Sequence, residues 1–113
     1  LYTEKKNYKT HFESHWFDEY NIDGSLNRNP NNTVYDIIFT APIFKNEKLE
    51  KPGYFTVFHN GVLIQNHVEI KGTTTNVGEP KYSTHGNAPI MLQDHCCVPL
   101  SFRNIWLRKL DKL

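Results

Sequence analysis

The sequence predicts an all-β fold, an antiparallel β-sandwich or jelly roll in which two sheets pack face to face. Short runs of β-branched and aromatic residues alternate with polar turns along the chain, and no convincing amphipathic helix interrupts them. Aromatic residues make up 13% of the chain, with seven Phe, six Tyr and two Trp. Because such residues pack well on a pleated surface, the composition favours strands over a helical bundle.

The length and charge of the chain limit its organisation and its partners. At 113 residues it is long enough for one hydrophobic core, so residues 1–113 are predicted to form a single β-sandwich domain. The 13 basic and 12 acidic residues are spread along the chain, which leaves no electrostatic footprint for nucleic acid. No run approaches the ~20 apolar residues of a membrane span. The adjacent Cys96 and Cys97 predict neither a disulfide with each other nor a structural zinc site.

The first strand is predicted from Thr10 to Phe17. A four-residue spacing of aromatic residues in this region also fits one face of a helix, whereas Phe12, Ser14 and Trp16 alternate as in a strand. We favour the strand. The segment Asn21–Thr33, rich in Asn, Asp, Gly and Pro, predicts a long loop.

The clearest local prediction is a β-hairpin over residues 54–65. Asn60-Gly61 lies between two runs of β-branched and aromatic residues, and both residues tolerate the positive φ of a two-residue type I′ turn. The turn fixes the register of the two strands. Counting outward from it, the predicted pairs are His59 with Val62, Phe58 with Leu63 and Val57 with Ile64.

Four further strands complete the predicted order. Val34–Phe39 is an apolar run typical of a central strand, and Asn66–Lys71 alternates as a half-buried strand does. The polar segment Gly72–Asn87 predicts a long connection. Two C-terminal strands are predicted at about residues 89–94 and 101–109, separated by a short loop.

Several of these segments carry a resemblance to a known family. They are YDIIF at 35–39 with Ala41-Pro42, VFHNGVLIQNHVE at 57–69, LQDH at 92–95 and FRNIW at 102–106. In order and spacing, from about residue 34 to 110, the chain resembles the 3-keto-disaccharide (3-keto-glucoside) hydrolase domain family. Residues 1–33 depart from the family pattern and are expected to be a divergent or truncated N-terminal part, with 34–110 as the family-like core.

The resemblance implies a concanavalin A-like jelly roll that acts on carbohydrate. It implies a bacterial protein of the periplasm or the extracellular space, with a saccharide or glycoside as its ligand. In the implied reaction, a carbonyl at C3 of the sugar acidifies the C2 hydrogen, a base removes it, the glycosidic group leaves and water adds. No cofactor is predicted, and a divalent metal is left open. The alternative is a non-catalytic carbohydrate-binding or structural β-sandwich.

The candidate site residues cluster near the C-terminus. Elimination needs an acid or base active near neutral pH and donors that stabilise an enediolate, roles that suit His and Arg. We expect His95 to serve as the acid or base and Arg103 to stabilise the developing negative charge. Substrate binding is assigned to Gln93, Asp94, Asn104 and His67.

Structural roles for these side chains stay open at this point. Asp94 and Arg103 would also make an ion pair that locks two strands together. His59 and His85 are candidates of lower rank, and His11 with His15 would share a metal only on a helix. Trp106 and Tyr82 could stack on a sugar ring, although Trp106 in an apolar strand also fits packing. Exposed sheet edges and an apolar face predict that the chain self-associates.

Overall fold

One antiparallel sheet of five strands forms the centre of the protein. The computed structural model describes residues 6–16, 19–20, 22–27, 33–93 and 100–110. Its strands in chain order are β1 Asn7–Trp16, β2 Glu19–Tyr20, β3 Leu26–Asn27, β4 Thr33–Thr40, β5 Ile43–Lys45, β6 Lys48–Lys51, β7 Tyr54–His59, β8 Val62–Glu69 and β9 Leu100–Leu110. The main sheet has the order β8-β7-β4-β1-β9, while β2 pairs with β3 and β5 with β6.

The predicted all-β class is confirmed. The described ranges contain strands and turns but no helix, and so no helix in them is able to cross a membrane. The predicted strand at 10–17 is confirmed over its described residues as part of β1, and Phe17 lies outside them. The helical alternative for this segment was wrong. The alternation of side chains, rather than the four-residue aromatic spacing, therefore decides which residues share a face.

Strand β1 lies inside the sheet and has a partner on each side. It pairs antiparallel with β4, where His11 is opposite Asp36, and with β9, where His11 is opposite Trp106. The first strand of the described chain therefore pairs directly with the last one. This pairing brings together residues that are far apart in sequence.

The two sides of the main sheet differ in chemistry. The side that we call the apolar face carries rows of rings in contact, with centroid distances of 5.1 Å for Phe12–Tyr35 and 5.3 Å for Phe39–Phe55. The opposite side, the polar face, carries the alternate residues of β1, among them His11. No apolar side chain of the described residues is fully buried. Within the described residues, neither face of the main sheet is therefore fully covered.

The hairpin between β7 and β8 forms with the predicted turn. Asn60 and Gly61 have φ of 50° and 79°. The pairs His59–Val62 and Phe58–Leu63 are confirmed. The third predicted pair was wrong, because Val57 is opposite Gln65 rather than Ile64. An irregularity in β8 directly after Leu63 shifts the register by one residue. The residues of the turn do not predict such a shift farther along the strand.

The predicted strand at 89–94 was wrong over its described residues 89–93, which have no regular structure. The apolar side chains here find no face to cover, since Ile90 is 50% and Met91 85% exposed. The long connection that precedes this segment, predicted at Gly72–Asn87, is attached to the rest of the chain by side-chain hydrogen bonds. The Tyr82 hydroxyl donates to the carbonyl of Ile70 and accepts from the Gly53 amide at 3.0 Å. The prediction of a loop at 21–33 was also wrong in part, because strand β3 lies within this segment and β4 begins at its last residue.

Replacing Gly53 with Ala should destabilise the protein. A Cβ at this buried position would lie 2.8 Å from the Thr40 carbonyl oxygen and 3.1 Å from Cδ of Pro42. Since the backbone must shift to relieve the clash, we expect a loss of about 1–3 kcal/mol in the free energy of unfolding. Gly86→Ala is the matched control, because a Cβ there meets no atom within 4 Å. Urea unfolding of both variants tests this, and equal midpoints would contradict it.

The self-association predicted from the sequence is testable on this sheet. Both edge strands expose apolar side chains, with Ile64 of β8 at 54% and Leu107 of β9 at 53%. An uncovered strand edge offers free backbone groups to a second copy of the chain. Sedimentation should therefore show species heavier than 13.3 kDa whose share grows with concentration. Ile64→Lys should weaken the association, and a 13.3 kDa species alone at every concentration would exclude it.

Candidate functional site

Four side-chain pairs line up along strands β1 and β9 on the polar face, and we call these eight residues the polar row. The strand register places a cation pair at one end, an aromatic pair and an ion pair in the middle, and a His–Ser pair at the other end. In order, the pairs are Lys9 with Arg108, His11 with Trp106, Glu13 with Arg103 and His15 with Ser101.

A β-bulge in β9 adds one more polar side chain to this row. Between His11 and Glu13, β1 advances by two residues while β9 advances by three. Asn104 has a φ of 53° in this stretch, which Asn tolerates better than most residues because its short side chain suits the left-handed conformation. Its amide Nδ2 lies 2.7 Å from Glu13 Oε2. The bulge thus aims Asn104 at the centre of the row.

Glu13 accepts hydrogen bonds on both carboxylate oxygens. Asn104 donates to Oε2, and Arg103 donates from Nε to Oε1 at 3.1 Å. These donors, Asn104 first, hold the pKa of Glu13 below its ordinary value because they stabilise the ionised form. Glu13 is therefore an ionised acceptor at neutral pH. Only Nε of Arg103 donates to Glu13, so the other four N–H donors of its guanidinium group remain for a ligand.

His11 connects three strands of the sheet. Its Nδ1 donates to Asp36 Oδ1 at 2.7 Å, and its Nε2 lies 3.6 Å from Glu13 Oε2. Its ring also stacks on Trp106 with centroids 5.2 Å apart. The hydrogen bond to Asp36 is the main reason that the pKa of His11 lies above its ordinary value. With both nitrogens engaged, His11 positions Glu13 rather than facing a ligand itself.

A cavity of about 300 Å³ opens at the end of the polar row, lined by Glu13, Ser14, His15, Ser101 and Arg103. This volume is at the lower limit for small-molecule sites. Within the described part of the chain, Nδ1 of His15 is buried and has no hydrogen-bond partner. Buried polar atoms nearly always have partners, so this unpaired imidazole nitrogen, in a residue that lines the cavity, marks this end of the polar row as a candidate ligand site. The cavity brings together an imidazole, a guanidinium and a carboxylate.

The structure does not bring the sequence-predicted site residues together as one group. Arg103 and Asn104 come together at Glu13, as part of one network. Asp94 and His95 lie outside the described residues, so the predicted Asp94–Arg103 ion pair is untested. Gln93 is exposed and lies on no strand. Its predicted location at the end of a strand was therefore wrong.

His67 lies away from the other predicted site residues. It belongs to β8 at the opposite edge of the sheet and stacks on Tyr54, with ring centroids 4.2 Å apart. Four strand spacings separate β8 from β9, or about 19 Å. His67 and Arg103 therefore cannot contact the same small sugar ring.

The sequence prediction missed the acidic and imidazole residues of β1 and β4. Glu13 and Asp36 are absent from the sequence-predicted site, and His11 and His15 enter it only as a metal-binding pair that requires a helix. Strict alternation of His11, Glu13 and His15 in a strand places all three on one face, and this signal was available. Among the residues that the structure describes, no group of three or more His, Cys, Asp or Glu side chains could hold a metal ion.

Comparison with known proteins gives one family and one solved structure. The model of the 3-keto-alpha-glucoside-1,2-lyase-like domain matches residues 31–108. The crystal structure of a predicted glycosyl hydrolase from Parabacteroides distasonis matches this chain with a TM-score of 0.75 and 30% sequence identity. The match covers 95% of this chain and 66% of that one, so the chain spans slightly less than two thirds of its length. No curated protein sequence matches the chain.

The contact between His11 and Asp36 should make stability depend on pH. The folded state binds the His11 proton more tightly than the unfolded chain, since its pKa is raised from 6.5. The resulting stabilisation is fully present below the unfolded pKa and is lost as the pH rises through the folded one. Asp36→Asn removes the main cause. The stability difference between wild type and variant should therefore shrink as the pH rises above 6.5.

Urea unfolding over this pH range and an NMR titration of the His11 ring measure the effect. Asp23→Asn is the matched control, because Asp23 accepts hydrogen bonds from Ser25 at an exposed turn and has no ion pair with a His among the described residues. An unchanged titration of His11 in the Asp36 variant would contradict the assignment.

Proposed function

This chain belongs to the 3-keto-alpha-glucoside-1,2-lyase-like domain family, and we propose that it cleaves a 3-keto-glycoside by elimination followed by hydration. One observation carries the proposal: His15, Arg103 and Glu13 meet at a cavity on the polar face. They supply an acid or base, a cation and a hydrogen-bond acceptor within one small volume. The periplasmic or extracellular location implied by the family resemblance stays a prediction.

The elimination needs two proton transfers and one stabilised anion, and the hydration that follows reverses both transfers. A base removes the C2 hydrogen, and the electron pair moves into an enediolate with the C3 oxygen. The glycosidic oxygen then leaves C1 with a proton from an acid, and water adds to C1 while C2 regains a proton. The balance is one water consumed, with a free 3-keto sugar and an alcohol released. This route does not need the two-carboxylate arrangement of ordinary glycosidases.

The side chains at the cavity fit these steps. His15 is the candidate acid or base, because its ring lines the cavity and Nδ1 has no partner among the described residues. The free donors of Arg103 would stabilise the enediolate oxygen, as preorganised donors stabilise developing charge elsewhere. Glu13, held ionised by Asn104 and Arg103, would accept hydrogen bonds from sugar hydroxyls. His95, assigned from the sequence, is the candidate for the second proton transfer.

The alternative is a carbohydrate-binding module without catalysis. It is favoured by the open sheet, since the described residues bury no apolar side chain. Catalysis gains from a site that excludes water, whereas binding tolerates an open surface.

Substitution of His15 separates the two functions. We expect His15→Ala to reduce turnover of a 3-keto-α-glucoside by about 10²–10⁴-fold, the usual contribution of a general acid or base. His85→Ala is the control, because His85 lies in the irregular connection and packs against Phe44, away from the polar row. His95→Ala in parallel tests the second proton transfer.

Each result of this assay has one meaning. Turnover by wild type and His85→Ala but not by His15→Ala supports the proposed mechanism. Unchanged turnover in His15→Ala removes this residue from the reaction. Saccharide binding by the wild type without any turnover indicates the binding module. NMR spectra of each variant confirm that the fold is retained.

A further inference from the structure

We propose that Lys9 and Arg108 form a subsite for an anionic substituent on the saccharide. This inference rests on the proposed function, because it assigns the chemical class of the ligand that the polar face takes. Lys9 and Arg108 stand directly opposite each other on β1 and β9, on the same face as Glu13 and Arg103. The polar row thus ends in two adjacent cations.

The register of β1 and β9 sets two like charges opposite each other, at Lys9 and Arg108. Like charges directly opposite each other on a sheet destabilise it. The ion pairs of the described chain involve His11, Glu13, Asp36, Glu69, Lys71 and Arg103, and neither Lys9 nor Arg108 belongs to one of them. On its other side, Lys9 faces Ile38 of β4, which offers no charge. An anion bound between the two cations would relieve this repulsion.

Protection of the sheet edge does not explain both residues. Cations on an edge strand discourage pairing with other chains, which is sufficient reason for Arg108 on β9. Lys9 is on β1, an interior strand that has a partner on each side. Its Nζ also lies 5.7 Å from the centroid of the Trp106 ring. This contact draws the ammonium group over the face of the sheet and toward the rest of the polar row.

The spacing along the row fits a sugar next to the one in the cavity. Two register steps separate the Lys9–Arg108 pair from the Glu13–Arg103 pair that lines the cavity. Each step covers two residues of a strand, so the backbone distance is about 13 Å, and the Lys9 side chain crosses part of it because its Nζ lies over Trp106, one step nearer the cavity. A saccharide with its 3-keto ring in the cavity would extend its leaving-group ring toward the cations. The ligand class is therefore a glycoside whose leaving sugar carries a carboxylate or a sulfate.

Three disaccharide probes test the subsite. The first is a neutral α-linked glucose disaccharide, the second carries a carboxylate in place of the primary alcohol at C6 of the reducing-end ring, and the third carries a sulfate there. NMR titration of the full chain should show about tenfold tighter binding of a charged probe than of the neutral one, as expected for charge-assisted hydrogen bonds. The preference between carboxylate and sulfate identifies the anion. It should weaken as salt is added.

Two variants and one control locate the effect. Lys9→Gln and Arg108→Gln should each remove most of the preference for the charged probe while leaving the affinity for the neutral disaccharide unchanged. Lys109→Gln is the matched control, since Lys109 is next to Arg108 but faces the other side of the sheet, opposite Tyr8. Retained affinity for the neutral probe also shows that the variants are folded.

The outcomes keep this inference apart from the proposed function. If neutral and charged probes bind equally to the wild type, the anionic subsite is excluded while saccharide binding stands. If none of the probes binds, the subsite is excluded, whereas the proposed function is judged separately by turnover of the 3-keto-α-glucoside. A preference for the charged probe that survives both Gln substitutions would place the anion elsewhere and overturn the assignment.

Discussion

The position of β1 between β4 and β9 is the constraint on which the rest of the structure depends. This strand contributes His11, Glu13 and His15 to the polar face and Phe12 to the apolar face. Its contacts join distant parts of the chain, since 25 residues separate His11 from Asp36 and 91 separate Glu13 from Asn104. Without the pairing of β1 on both sides, Glu13 would not meet Arg103 of β9 and His11 would not meet Asp36 of β4.

The bulge at Asn104 explains why the site is centred on Glu13. A regular strand would place one β9 residue opposite each β1 residue, and Glu13 would then meet a single partner. Because the bulge adds one residue to β9, both Asn104 and Arg103 reach Glu13, and each donates to one oxygen of its carboxylate. A second irregularity in β8, between the pairs Val57–Gln65 and Phe55–Val68, contains His67, which has a φ of 50° and stacks on Tyr54. Bulges often aim side chains in this way next to functional sites.

Local chemistry made parts of this fold predictable from the sequence. The Asn60-Gly61 turn has few alternatives, so the hairpin and its first two pairs were correct. The strand predicted at 89–94 rested only on an apolar run. Such a run forms a strand only where the edge of a neighbouring strand can pair with it. Arg103 and Asn104 were found through the family resemblance.

Long-range pairing limited the prediction of the site. Glu13 and His15 precede the segment that resembles the family, and nothing local shows that β1 pairs with β9. Their alternation could have placed them on one face, but the partner strand would still have been unknown. The contact of Glu13 with Arg103 depends on a register across 90 residues and on a bulge that the sequence does not announce.

The openness of the sheet determines how such a site can work. The Glu13 side chain is 17% exposed and that of Arg103 68%, so water screens their attraction and the pair alone contributes little to stability. Its value is geometric, because Asn104, His11 and Arg103 together hold the carboxylate in one orientation before a ligand arrives. A sugar ring that covers the cavity would exclude water from these groups and strengthen every hydrogen bond among them. The chain thus provides the orientation of the site, and the ligand itself provides much of its burial.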